Sequence, residues 1–232
     1  MVFDIFTGEG ELTTKLIRFA MLIIVMLISF SFHEWAHAHA AYRNGDMTAR
    51  NMGRMTLNPI AHIDPIGFLL LMFAGFGWAK PVPVNPANYK SYRKAEFQVS
   101  FAGIFTNLII ALISAFLYIA FEVAEILGGF EFPVLAYYFL NLLGIINVSL
   151  AVFNFIPVFP LDGSHIFELL VGRKFPKAML WMHNNGRFIL LGIFVLSYIL
   201  GKFGFSPLGT VTYWIYEKFL QLFAFFGNLI VG

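Results

Sequence analysis

Two histidines four residues apart, with a glutamate directly after the first, are the residues in this chain best suited to chemistry: His33-Glu34-Trp35-Ala36-His37. On an α-helix, positions i and i+4 stand one above the other, so both imidazoles can converge on one metal ion while Glu34 lies beside them. A zinc ion held this way activates water, and a neighbouring carboxylate moves the proton; the pattern is that of metal-assisted hydrolysis. The setting is unusual. The cluster lies inside Ile17 to Ala41, an apolar run otherwise broken only by Arg18 at its edge. With a helical rise of about 1.5 Å per residue, a run of this length crosses about 30 Å of hydrocarbon. Ionisable groups at that depth cost about 3 kcal/mol each, so their presence there points to function.

A catalytic zinc takes three protein ligands and keeps a fourth position open, so two histidines do not complete the site. The chain has no cysteine, so nitrogen and oxygen donors must serve. The candidates are His39, His62, Asp64, Asp162, His165 and Glu168. His39 is two residues beyond His37 and faces elsewhere on the helix, which suits a headgroup-facing role. His62 and Asp64 lie between the turn-forming pairs Asn58-Pro59 and Asp64-Pro65, where they would shape the mouth of a site. Asp162 is the strongest candidate. It follows Pro157 and Pro160 and precedes Gly163, a break where a long apolar span ends. Broken backbone at membrane depth is tolerated only against protein or a wet cavity, and a carboxylate there can turn towards the first helix. The alternative role for Asp162 is to cap the helix that begins at Gly163.

The elements that must position these groups are membrane helices. Of 232 residues, 59% are hydrophobic and only 12% charged, which excludes an ordinary soluble domain. No linker or internal repeat interrupts the chain, so residues 1–232 are expected to form one integral membrane domain. Its catalytic core is expected at about 17–172 and its C-terminal helices at about 188–230. The expected fold is an all-α polytopic bundle of about five to six transmembrane segments, with a short re-entrant or β-hairpin element after the first helix. Further spans are expected at Phe97 to Ala120, Ala136 to Ile156, Phe188 to Phe205 and Val211 to Ile230. The last contains Glu217 and Lys218, which suit a shorter span or an interfacial helix equally well. Ile66 to Trp78 is apolar but too short to cross, contains Gly67, Gly75 and Gly77, and precedes Pro81 and Pro83.

Charge favours re-entry of that short segment. Arg43, Arg50 and Arg54 precede it, Lys80, Lys90, Arg93 and Lys94 follow it, and Arg173, Lys174, Lys177 and Arg187 occupy a later loop. If the segment dips and returns, all three basic loops share one face and Glu122, Glu125 and Glu131 fall on the other. The basic face is then cytoplasmic, the N-terminus is outside, and His33 and His37 lie towards the cytoplasmic side of the plasma membrane. The net charge of +2 needs no nucleic-acid partner, and no phosphate-binding loop or dinucleotide fingerprint occurs.

With these motifs in place, residues 17 to 172 resemble the site-2 proteases, membrane zinc endopeptidases of regulated intramembrane proteolysis. His33 to His37 resembles the family's zinc motif, and Leu161-Asp162-Gly163 its proline-flanked Leu-Asp-Gly motif. Gly53 to Pro59, His62 to Pro65, and Gly77 to Pro86 resemble the short bacterial and archaeal members, which lack PDZ and CBS domains. Ala102-Gly103-Ile104-Phe105-Thr106-Asn107 is also similar, with Ile104 where the family commonly has proline. The resemblance implies one Zn2+ per chain held by His33, His37 and Asp162, with Glu34 as general base. Asn107 would donate a hydrogen bond to the oxyanion, or serve only as an interhelical polar contact.

The implied partners are the lipid bilayer and single-pass transmembrane substrates, with room for a homo-oligomer. A peptide bond inside an intact helix is shielded, so the site must bind unwound backbone. Arg54 to Leu57 and Val82 to Asn85 are expected to be short strands whose edges clamp it. Two other functions compete. A zinc-binding transporter or channel would spread polar residues along a pore, whereas here they gather at one depth. An inactive helix-binding relative would not need Glu34.

Overall fold

The computed structural model describes residues 11–74, 77–129 and 131–231, and its regular elements there are all helical. The α-helices are α1 (Leu12–Arg43), α2 (Thr48–Asn51), α3 (Pro65–Ala74), α4 (Tyr92–Gly128), α5 (Val134–Asn154), α6 (Asp162–Val171), α7 (Pro176–Lys202) and α8 (Pro207–Val231), and Pro59–His62 and Pro86–Asn88 are short 3-10 turns. Four of them, α1, α4, α5 and α7, are long and apolar enough to cross a membrane. The helices overrun the apolar runs that mark them. α7 begins at Pro176 rather than near Phe188, because proline is pre-set for a first helical turn and polar residues continue a helix as readily as apolar ones. α8 has the length to cross, but Thr210, Thr212, Glu217, Lys218, Gln221 and Asn228 dilute its apolar character.

α1, α4 and α5 form the centre. Leu22 and Val25 of α1 pack on Leu142 and Ile146 of α5, and Asn147 donates to Ser29 Oγ at 2.8 Å across the same interface. The polar bond ties two helices in a region where no water competes. α8 closes the far side, with Tyr216 buried among Ala111, Ala115 and Val148. Gly144 permits this approach, since a Cβ there would stand 2.1 Å from the Tyr216 ring. α7 packs far more loosely, with 6% of its most apolar stretch buried. Its contact with the loop before α6 runs through His183, stacked on Phe159 at 3.4 Å, and Gly186, against the Phe159 carbonyl.

Neither Arg54 to Leu57 nor Val82 to Asn85 forms a strand, which corrects the sequence expectation. Pro81 and Pro83 supply no N–H groups, and the Val82 and Asn85 amides donate to the Glu34 and Asp46 carboxylates, which leaves little to build a ladder. It runs instead as an extended strap. The short apolar segment before it forms α3, and its ends meet: Ile63 and Ala79 make an isolated antiparallel bridge, and Lys80 N donates to the His62 carbonyl at 2.8 Å. Gly75 lies outside the described residues.

Asp46 fastens the strap to the end of α1. Its buried carboxylate accepts from Thr48 N and Oγ1, Asn85 N and Asn88 Nδ2 at 3.0, 2.5, 2.7 and 2.8 Å. Gly45, at φ 106°, makes the turn that aims it, and its position allows the Asn88 carbonyl to approach. Burial alone would raise the Asp46 pKa, but these donors favour the anion more strongly and hold it below the usual carboxylate range. A lowered folded pKa contributes stability that is complete above the unfolded value of about 4 and is lost as pH falls through the lower folded value. Asp46→Ala should therefore destabilise the protein at neutral pH by about 2 to 3 kcal/mol, read by thermal unfolding in detergent. The strap should also become sensitive to protease.

Candidate metal centre

His33 and His37 lie one turn apart on α1, both buried, with ring centroids 4.6 Å apart. Their Nε2 atoms are 3.0 Å from each other. His37 Nδ1 lies 2.7 Å from the Val99 carbonyl of α4, to which it donates. That bond commits the proton to Nδ1 and leaves Nε2 with a free lone pair, the tautomer a metal ligand requires.

Asp162, the first residue of α6, brings its Oδ2 to 3.4 Å from His33 Nε2 and 3.3 Å from His37 Nε2. It does not cap that helix by a side-chain hydrogen bond, and Oδ2 is buried without a hydrogen-bond partner. The three donor atoms fit zinc. Ligands about 2.0 to 2.1 Å from a tetrahedral ion stand roughly 3.3 Å apart. Two buried imidazole nitrogens and a carboxylate oxygen facing one another are best reconciled by a shared cation.

Gly103 makes the convergence possible. A Cβ at this position on α4 would stand 2.5 Å from His33 Cε1 and from His37 Nε2. The two rings therefore occupy the space a side chain would take. Similarly, a Cβ on Gly163 would stand 2.3 Å from the Phe155 carbonyl oxygen, so glycine lets α6 start against the preceding loop.

Glu34 is buried beside the histidines, and its Oε2 accepts from Val82 N at 2.7 Å. Pro81 and Pro83 have no N–H, so Val82 carries the amide donor at this point of the strap. The strap is braced by Arg54, whose guanidinium donates to the Lys80 and Pro81 carbonyls at 2.9 and 3.2 Å. Glu34, His33, His37 and Asp162 line one cavity of about 430 Å³, together with Tyr89, Glu96, Asn154, His165 and apolar side chains. Such a cavity can admit extended backbone next to a metal and a base.

The remaining expected residues fall elsewhere. Asn107 is fully buried, its amide atoms lack hydrogen-bond partners, and it does not line the cavity. It lies one turn past Gly103 on α4, where it is enclosed. Asn154, at the end of α5, is the amide side chain that does line the cavity. Its place just before the proline-broken loop was the available signal. His39 stacks on Trp35 at 5.0 Å. His62 bonds the Thr56 carbonyl at 2.8 Å, and Asp64 accepts from Gly67 N at 2.8 Å, so both organise the loop around α3. Glu168 pairs with His183 at 3.5 Å.

Comparison with known proteins agrees with this chemistry. A family model described as Peptidase family M50 matches residues 130–196, which include Asp162. The chain is 39% identical over 195 residues to "Putative zinc metalloprotease YwhC" of Bacillus subtilis, covering 83% of this chain and 84% of that protein. It is 25% identical over 207 residues to "Putative zinc metalloprotease Rip2" of Mycolicibacterium smegmatis, covering 86% and 74%. It is also 25% identical over 159 residues to "Zinc metalloprotease MJ0392" of Methanocaldococcus jannaschii, covering 68% and 37%. No solved structure matches.

Proposed function

This chain belongs to peptidase family M50, the site-2 protease family, and from that premise we propose that it is an intramembrane zinc endopeptidase cleaving transmembrane helices of single-pass membrane proteins. The observation that carries the proposal is the close set of His33, His37 and Asp162 donor atoms beside Glu34. Three helices of membrane-crossing length, α1, α4 and α5, carry or line that set.

His33, His37 and Asp162 would hold the metal, which when bound supplies the Lewis acidity that eases ionisation of water and polarises a peptide carbonyl. Glu34 accepts the water's proton and delivers it to the leaving amine. The Val82 amide orients the Glu34 carboxylate for that transfer. The His37 bond to Val99 fixes the ring's tautomer. α8 serves as a fifth span, and the segment from His62 to Lys80 dips into the membrane and returns, since its ends are bonded together. The basic loops face the cytoplasm, so cleavage near that side would release a cytosolic fragment.

A peptide bond inside an intact helix is shielded by its own side chains and hydrogen bonds, so substrate must unwind to reach the Glu34 side of the cavity. Cleavage of a transmembrane peptide by the purified protein should stop when a chelator removes the metal and resume when zinc is restored. Replacing helix-breaking residues of a cleaved peptide with leucine should lower the rate several-fold; an unchanged rate would contradict the unwinding requirement.

A further inference from the structure

A second polar constellation shares the cavity wall. His165 is three residues after Asp162 on α6, so the two side chains are neighbours on one helical face. His165 Nδ1 lies 2.9 Å from Glu96 Oε1, across from α4. Glu96 is largely buried, whereas 40% of the His165 side chain is exposed, and both line the cavity. The edge of the Phe159–His165 ring pair, with centroids 5.3 Å apart, packs one flank of the imidazole. The ring is thus held on two sides, and with Nδ1 committed to Glu96 the nitrogen left for the cavity is Nε2. None of these contacts is needed to hold the metal or to position Glu34.

We infer that His165 is a substrate-contacting residue of the reaction, its Nε2 donating a hydrogen bond to a backbone carbonyl of the unwound peptide beside the metal centre. The inference rests on the protease reading above and adds a polar anchor to it. Unwound backbone needs such partners, because each carbonyl released from a helix and taken out of water must be satisfied again. The hydrogen bond to Glu96, backed by that carboxylate's charge, outweighs burial and raises the His165 pKa, which favours the doubly protonated ring with a donor on each nitrogen.

Two substitutions separate this role from a structural one. In His165→Asn the side-chain amide can still donate to Glu96 from the Nδ1 position, but nothing reaches where Nε2 stood. In His165→Gln the amide reaches the Nε2 position and gives up the Glu96 contact. For a transmembrane peptide that the wild-type protein cleaves, kcat/KM of the asparagine variant should fall by about 10- to 100-fold. The glutamine variant should stay within a few-fold of wild type. Zinc content and melting temperature should be unchanged in both.

An asparagine variant with the wild-type rate would overturn the inference, as would equal losses in both variants or a loss that tracks zinc release. Absence of cleavage by the wild-type protein, with zinc bound, would instead overturn the protease reading and this inference with it.

Discussion

Glu34→Gln should abolish peptide cleavage, by about 10²- to 10⁴-fold, while leaving zinc content at the wild-type level. The substitution keeps the shape of the side chain and leaves an oxygen able to accept from Val82 N, so the strap should stay in place. What it removes is the carboxylate proposed to take a proton from water. Glu34 is not among the three donors that converge, and so metal retention is expected. Cleavage of a transmembrane peptide and metal analysis of the same preparation check both halves. A transporter would keep its flux in this variant, and retained flux without any wild-type cleavage would favour that alternative.

Gly103→Ala should be nearly as damaging, although it only changes one hydrogen to a methyl group and replaces none of the proposed metal ligands or the base. The new Cβ would fall 2.5 Å from atoms of both imidazoles. His37 cannot swing away without breaking its bond to Val99, one turn along the same helix. α1 and α4 must then separate, or the rings must leave the geometry in which three donors meet. A misplacement of about 1 Å at a catalytic centre can cost 10²-fold, and a loss of at least that size is expected, with reduced zinc occupancy. Gly192→Ala is the control. It lies within α7 with nothing within 4 Å of its added Cβ, so activity and occupancy should not change. Equal behaviour of the two variants would contradict the packing described around the histidines.

The parts of this centre that were legible in sequence are those set by local periodicity. His33 and His37 share a helical face because the repeat of the helix requires it, and Asp162 is marked by prolines that break the backbone before it. The long apolar runs likewise announce α1, α4 and α5. What sequence could not supply is the pairing of elements distant in the chain. The Val99 carbonyl that orients His37 is an ordinary backbone group, and only the crossing of α1 with α4 brings it there. Gly103 and Asn107 occupy successive turns of one helix, and sequence favoured the residue with the polar side chain. The structure gives the nearer role to the glycine, whose contribution is the absence of a side chain. The strap from Val82 to Asn85 reads in sequence as a short strand. Its prolines and its side-chain anchors, Asp46 and Arg54, make it an unpaired extended segment. α7 and α8 show the limit of apolar content as a guide. α7 is apolar enough to cross a membrane yet packs less closely than α8, because side chains facing lipid and side chains facing protein look alike in composition.

The most direct measurement is zinc affinity by chelator competition, comparing the wild-type protein with Asp162→Ala. One tightly held ion per wild-type chain, and an affinity at least about 100-fold weaker without the carboxylate, is the predicted result. Equal affinity in the two proteins would show that Asp162 does not join His33 and His37 in holding the metal.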